Sequence, residues 1–92
     1  MSQKQKKIFM AYLTKYALSR GKIDYVEVEQ SEDSSMVRIV EYPHSFYHGE
    51  GREWHLTWDS AKNRVEELRK NKIKSLHKQI IKLEKMQFKK GE

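Results

Sequence analysis

From Asp59 to Phe88 the chain reads DSAKNRVEELRKNKIKSLHKQIIKLEKMQF, thirty residues without a glycine or a proline. Lys, Leu, Glu, Gln, Arg, Met and Ala dominate it, and these are strong helix formers. At 1.5 Å per residue such a helix is about 45 Å long. The 58 residues before it can form a globule only about 27 Å across, by the scaling of radius of gyration with chain length. The helix is therefore expected to overhang the domain it belongs to, with its distal half protruding.

Its apolar residues form a readable stripe. With Ala61 at zero and about 100° per residue, Ala61, Val65 and Leu68 fall near 0°, 40° and 340°. Ile73, Leu76, Ile80 and Leu83 fall near 120°, 60°, 100° and about 40° on the same wheel. The second group is spaced three, four and three, as heptad a and d positions are. Five residues separate Leu68 from Ile73, so the stripe shifts there. The first half is expected to cover the sheet of its own domain. The second half, through Ile73, Leu76, Ile80 and Leu83, is expected to offer a seam to a second copy or to a protein partner. The plainer alternative is a single core stripe that drifts. Two heptads are fewer than the three or four that define a coiled coil by pattern alone.

The opposite face of the distal half is basic. Lys74, Lys78, Lys82, Lys85 and Lys89 recur every three or four residues, between about 220° and 300° on the wheel. Glu66 and Lys70 form the one well-oriented i,i+4 pair expected nearby. Such a stripe can be a solvated face, or it can contact a polyanion together with Lys4, Lys6 and Lys7. Nucleic-acid binding of that kind would be weak, nonspecific and salt-sensitive, because the charge arrives without a recognition motif.

The charge layout leaves both readings open. The net charge is +6, but it is segregated. Residues 1–22 hold five Lys and one Arg with no acid. Residues 23–53 hold eight acids against Arg38 and Arg52. Residues 54–92 hold eleven bases against five acids. Simple nucleic-acid binders spread a basic face over much of the fold. Here the middle of the chain is acidic and only its ends are basic, which suits an internal arrangement or contacts between copies as well as contact with a polyanion.

The segment 7–58 reads as a sheet. Ile8, Met10, Tyr12 and Thr14 alternate with Phe9, Ala11 and Leu13, so a strand is expected over about 7–15. A helix is the alternative, with Phe9, Tyr12, Leu13, Tyr16 and Ala17 on one side and Gly21 as its terminator. Lys22–Gln30 and Met36–Tyr42 alternate on either side of the polar SEDSS loop and read as a hairpin. Pro43 ends the second strand. His44–His48 and Arg52–Thr57 are further short strands around a turn at Gly49-Glu50-Gly51. Asp59 is the expected helix N-cap. The fold class is thus α+β: a curved antiparallel sheet of three to five strands followed by one long C-terminal helix, in a single domain spanning 1–92.

The pieces KYALSRG, FYHGEGREWHLTWDSAKNRVEELR and NKIKSLHKQIIKLEKMQF resemble a group of small proteins common in gut bacteria, Bacteroides-like ones especially, and in their mobile elements. The group shares a YAL-x-x-G turn, an FHGEG-type turn and a terminal helix rich in Lys and Leu. The resemblance implies the strand reading of residues 7–15 and a bacterial origin. It brings no activity with it.

Few residues invite chemistry. There is no cysteine, hence no disulfide, no thiol chemistry and no Cys-ligated zinc. The N-terminus lacks the apolar stretch of a signal peptide, and no run reaches the length of a membrane span; the cytoplasm is the default expectation. His44, His48 and His55 lie near Glu50, Glu53 and Asp59, but on a strand His44 and His48 would stand about 13 Å apart, too far for one ion. No metal or cofactor is expected. No nucleotide-binding, zincin, nucleophile-elbow or EF-hand spacing occurs, and His with Ser45 or Ser60 makes no triad by pattern. Of the aromatics Tyr42, Phe46, Tyr47, Trp54 and Trp58, one of the tryptophans is expected to anchor the helix to the sheet. The expectation is a small non-enzymatic interaction or adaptor protein that self-associates or binds a partner through its distal helix; the alternative is a nonspecific nucleic-acid binder using the basic face.

Overall fold

The computed structural model describes residues 6–91. Period-two alternation decides the first element: Lys6–Leu13 is a strand, β1. Phe9, Ala11 and Leu13 turn inward, while Ile8 and Met10 stay exposed on the other face. The helical alternative survives only as one short piece, α1 (Ala17–Arg20). Gly21 ends it at φ +74°, its N–H donating to the Ala17 carbonyl at 2.7 Å. That left-handed conformation costs a residue with a Cβ about 1–2 kcal/mol.

The strands β2 (Asp24–Ser31) and β3 (Met36–Ile39) form the expected hairpin across the SEDSS loop. Two short strands follow, β4 (Phe46–His48) and β5 (Trp54–His55). All neighbours pair antiparallel, in the order β4-β3-β2-β1-β5. The outcome is a five-stranded curved half-barrel, followed by one long helix, α2 (Trp58–Glu84).

The sheet buries its core inside its own curl. Ala11, Leu13, Val28, Val37, Tyr47 and Trp54 fill the concave side, with Phe9, Val26 and Ile39 packed against them. The turn between β4 and β5 closes this curl. The Trp54 indole N–H donates to the Ser35 carbonyl at 2.9 Å, and the Gly49 N–H donates to the same carbonyl at 3.1 Å. Gly49 has φ +85°, and its carbonyl accepts the N–H groups of Arg52 and Glu53, each at 3.1 Å. The Glu53 carboxylate accepts the His48 N–H at 2.6 Å.

Several boundaries differ from expectation. The helix was expected to cover the sheet with its first half. Because Tyr47 and Trp54 already fill the concave side, α2 instead rests on α1, β5 and the end of β1. Its N-cap is Thr57, not Asp59: the Thr57 hydroxyl accepts the Ser60 N–H at 3.2 Å. Asp59 lies in the first turn, where a carboxylate favours the helix dipole. The helix ends at Glu84, four residues short of Phe88, with Lys85 as its C-cap. At 27 residues it is about 40 Å long, and the described residues extend 69 × 34 × 20 Å.

Candidate interaction surfaces

The base of α2 is held to the sheet by a buried polar cluster. His55 and Thr14 are each only 1% exposed. The Thr14 hydroxyl donates to the Arg52 carbonyl at 2.8 Å, so it accepts from His55 Nε2–H at 3.1 Å. His55 Nδ1 is then unprotonated and accepts the Ser60 hydroxyl at 2.7 Å. Burial holds the His55 imidazole below its ordinary pKa of 6.5, in the same direction as the nearby Arg64 charge. A serine hydroxyl on an imidazole is the contact of an activated nucleophile. Here, however, the other ring nitrogen meets a threonine rather than a carboxylate, and the ring is sealed. The cluster pins the first turn of α2 to β1 and β5.

Packing completes the joint. Trp58 lies edge-on to Tyr12, with ring centroids 5.7 Å apart. Ala17 on α1 and Ala61 on α2 are both buried where the two helices meet. Of the two tryptophans, Trp58 is the anchor of the helix; Trp54 belongs to the sheet core. Of the other aromatics, Tyr42 is exposed, Phe46 lies on the outer face and Tyr47 is buried.

Past this joint the helix leaves the domain. Val65 and Leu68 are half-buried, and every residue from Arg69 to Gly91 is exposed. The seam residues Ile73, Leu76, Ile80 and Leu83 are 49%, 44%, 48% and 65% exposed. On the helical wheel they centre near 80°, the side on which Trp58, Val65 and Arg69 line a groove against α1. Ile73 still lines a groove with Lys15, Leu18 and Ser19, and from there the seam continues the domain-facing side of α2 beyond the end of the domain.

The basic residues lie elsewhere on the same arm. Lys74, Lys78 and Lys82 are exposed on the far side, Lys85 is the C-cap and Lys89 lies past the helix end, so Lys89 does not extend the stripe. Lys6 pairs with Glu29 at 3.5 Å, Lys7 is exposed, and Lys4 lies outside the described residues. Glu66 pairs with Arg69, not with Lys70, and this contact holds the Glu66 carboxyl below its usual range. Counting Arg69 to Lys85, seven Lys and Arg face Glu84 alone.

A second surface escaped the sequence reading. The outer face of the sheet carries apolar side chains without cover: Ile8 and Met10 on β1 beside Tyr25 on β2, at 59%, 41% and 52% exposure. Tyr12 stacks on Tyr25 at 4.3 Å and 31°. Glu27 and Glu29 stand opposite Met10 and Ile8 in the β1–β2 register. Glu29 is bridged by Arg38 at 2.7 Å, and hydrogen bonding to that guanidinium is the main cause of its lowered carboxyl pKa. The signal was visible in the sequence, since β1 is apolar at even and odd positions alike.

The histidines do not converge. His55 is sealed in its cluster while His44 and His48 are exposed, and among the described residues no group of three His, Cys, Asp or Glu side chains could hold a metal ion. No helix of the described residues is long and apolar enough to cross a membrane. The chain matches no protein-family model, no curated protein and no solved structure.

Proposed function

We propose that this is a non-enzymatic interaction protein that self-associates through the distal half of α2. The observation that carries the reading is a helical arm whose apolar seam runs past its own domain: Ile73 still lines a groove with Lys15, Leu18 and Ser19, and Leu76, Ile80 and Leu83 continue beyond it. Full burial of one such side chain stabilises by about 1.5–3 kcal/mol, so burying the exposed half contributes about 0.8–1.5 kcal/mol. Eight such side chains in a dimer total about 6–12 kcal/mol, comparable with the association cost of about 4–15 kcal/mol.

Leu76→Glu tests this. The variant places a carboxylate in the middle of the seam and touches no core residue. Sedimentation at equal concentration should show an associated wild type and a monomeric variant, with unchanged sheet signal in circular dichroism. A wild type that is monomeric at high micromolar concentration would refute self-association.

The exposed Lys74, Lys78 and Lys82, with no acid between them on that face, support a second reading as a weak binder of nucleic acid. The acidic sheet opposes it, because a phosphate backbone reaching past the arm meets like charge.

A further inference from the structure

The surroundings of the seam set the direction in which two arms can pair. Trp58, Val65 and Arg69 on α2 line one groove with Leu18 and Ile23. Arg69, Lys72 and Ile73 line a second with Lys15 and Leu18. These α2 positions centre at about 80° on the wheel, as the seam does. So α1 stands on the seam side at the base of the helix, and the grooves run on directly from the seam. At the far end, past Glu84, Met86 and Phe88 are 41% and 88% exposed. Resting on the self-association reading above, we infer that two arms pair antiparallel about a two-fold axis, and that each tip, through Met86 and Phe88, fills the groove between α1 and α2 of the other copy.

Sterics choose the direction. In a parallel pair both domains lie at the same end, and α1 of each copy occupies the side along which the base of the other helix must run. In an antiparallel pair each domain lies past the other copy's tip, and the step from arm to α1 receives that tip.

The seam residues choose the register. With the two-fold axis at the level of Lys78, Ile73 meets Leu83 and Leu76 meets Ile80, so every seam residue has an apolar partner. A slip of one heptad sets Ile80 and Leu83 against Arg69 and Glu66, or Ile73 and Leu76 against Lys90 and Gln87. In the matched register Glu84 comes level with Lys72 of the other copy. From there Phe88 reaches about 13 Å further in extended chain, the length of about nine helical residues. Met86 and Phe88 thus fall within the run from Trp58 to Arg69 that lines the groove.

Charge agrees with this pairing. Lys70 and Glu84 lie on the same flank of the seam, at about 180° and about 140°. An antiparallel two-fold brings like flanks together, so Glu84 of each copy comes within a turn of Lys70 of the other, whereas a parallel pair sets Glu84 against Gln79. Lys74, Lys78 and Lys82 end up on the outer sides, about 20 Å apart across two helices and well beyond the Debye length of about 8 Å, so they do not oppose it. The contact lies at the small end of specific interfaces, below about 1,200 Å², and the dimer is expected to be a weak one that forms at micromolar concentration.

The chain has no cysteine, so single-cysteine variants of the full chain report the pairing. Ile73→Cys is mixed with Leu83→Cys, and Leu18→Cys with Phe88→Cys, under mild oxidation at high micromolar concentration. Each mixture should give a disulfide-linked heterodimer faster than any of the four variants links to itself, since the antiparallel register holds the two copies of Ile73 about 15 Å apart along the axis. Phe88→Ser changes an exposed residue outside the helix; sedimentation should show a dimer at least about tenfold weaker, with an unchanged circular dichroism spectrum. Preferential self-linking of Ile73→Cys and Leu83→Cys, the pattern of a parallel pair, would overturn the inference and leave self-association standing. So would a Leu18→Cys and Phe88→Cys mixture that does not cross-link, or a Phe88→Ser dimer as tight as wild type. A monomeric wild type would overturn both.

Discussion

Thr14→Val is the sharpest probe of how the arm is aimed. The substitution keeps the shape of a side chain that is 1% exposed and removes only its hydroxyl. Two hydrogen bonds go with it, one to the Arg52 carbonyl at 2.8 Å and one from His55 Nε2–H at 3.1 Å. The stranded imidazole N–H sits on a ring that is itself 1% exposed, and leaving such a donor unpaired costs about 1–3 kcal/mol. The lost bond to Arg52 adds about 1 kcal/mol, for about 2–4 kcal/mol in all. In a domain of this size each kcal/mol moves the melting temperature by about 4–8 °C, so a fall of roughly 10–25 °C is expected. Thr14→Ser keeps the hydroxyl and should recover most of the loss. Thermal melts of the three proteins at a single low concentration make the comparison. A Thr14→Val effect below about 0.5 kcal/mol, the range of an ordinary surface change, would refute the claim that this cluster holds α2 to the sheet. So would a Thr14→Ser variant as unstable as Thr14→Val.

Two further outcomes follow from the same joint and the turn beside it. His55 binds its proton less readily in the folded chain than in the unfolded one, because burial disfavours the imidazolium. Its contribution to stability is therefore complete above its ordinary pKa of 6.5 and declines as pH falls through its lowered folded value; urea titrations from neutral to mildly acidic pH should show that decline, and it should be absent in His55→Gln. Gly49→Ala forces a Cβ into a φ of +85° and within 3.2 Å of the Arg52 side chain, so it should cost at least about 1–2 kcal/mol, measured by denaturant melts against wild type.

How much of this was legible in the residues varies with the physics of each part. The hairpin and the GEG turn follow from local chemistry, alternation for one and required positive φ for the other. The overhanging helix follows from arithmetic on length. Thr57 as N-cap was missed because Thr57, Asp59 and Ser60 are all competent caps; the contact of Trp58 with Tyr12 decides among them, and that contact is tertiary. The helix end at Glu84 was missed because Lys85 to Phe88 contains no breaker, and nothing packs on that turn to hold it. The His55 cluster joins Thr14 to Ser60 across forty-six residues, and no spacing rule announces such a pairing. The residues alone point to the helix as cover for the concave face, because a half-barrel's ability to close on itself depends on Trp54 of β5 reaching Ser35 in the SEDSS loop, a contact no local pattern announces. The even-numbered apolar residues of β1 were in view, but their exposure becomes visible only once α2 is seen to lie at the end of the sheet and not over it.

The central claim is that α2 past Ile73, residues 74–84, forms an arm outside its own domain, covered by a second copy. Amide hydrogen exchange of that segment as a function of protein concentration tests it most directly. Dilute protein should exchange rapidly from Lys74 to Glu84 while β1 and β2 stay protected, and protection of the arm should rise with concentration in step with association. Protection of the arm that is already full in dilute protein, or exchange that stays rapid at every concentration, would contradict it.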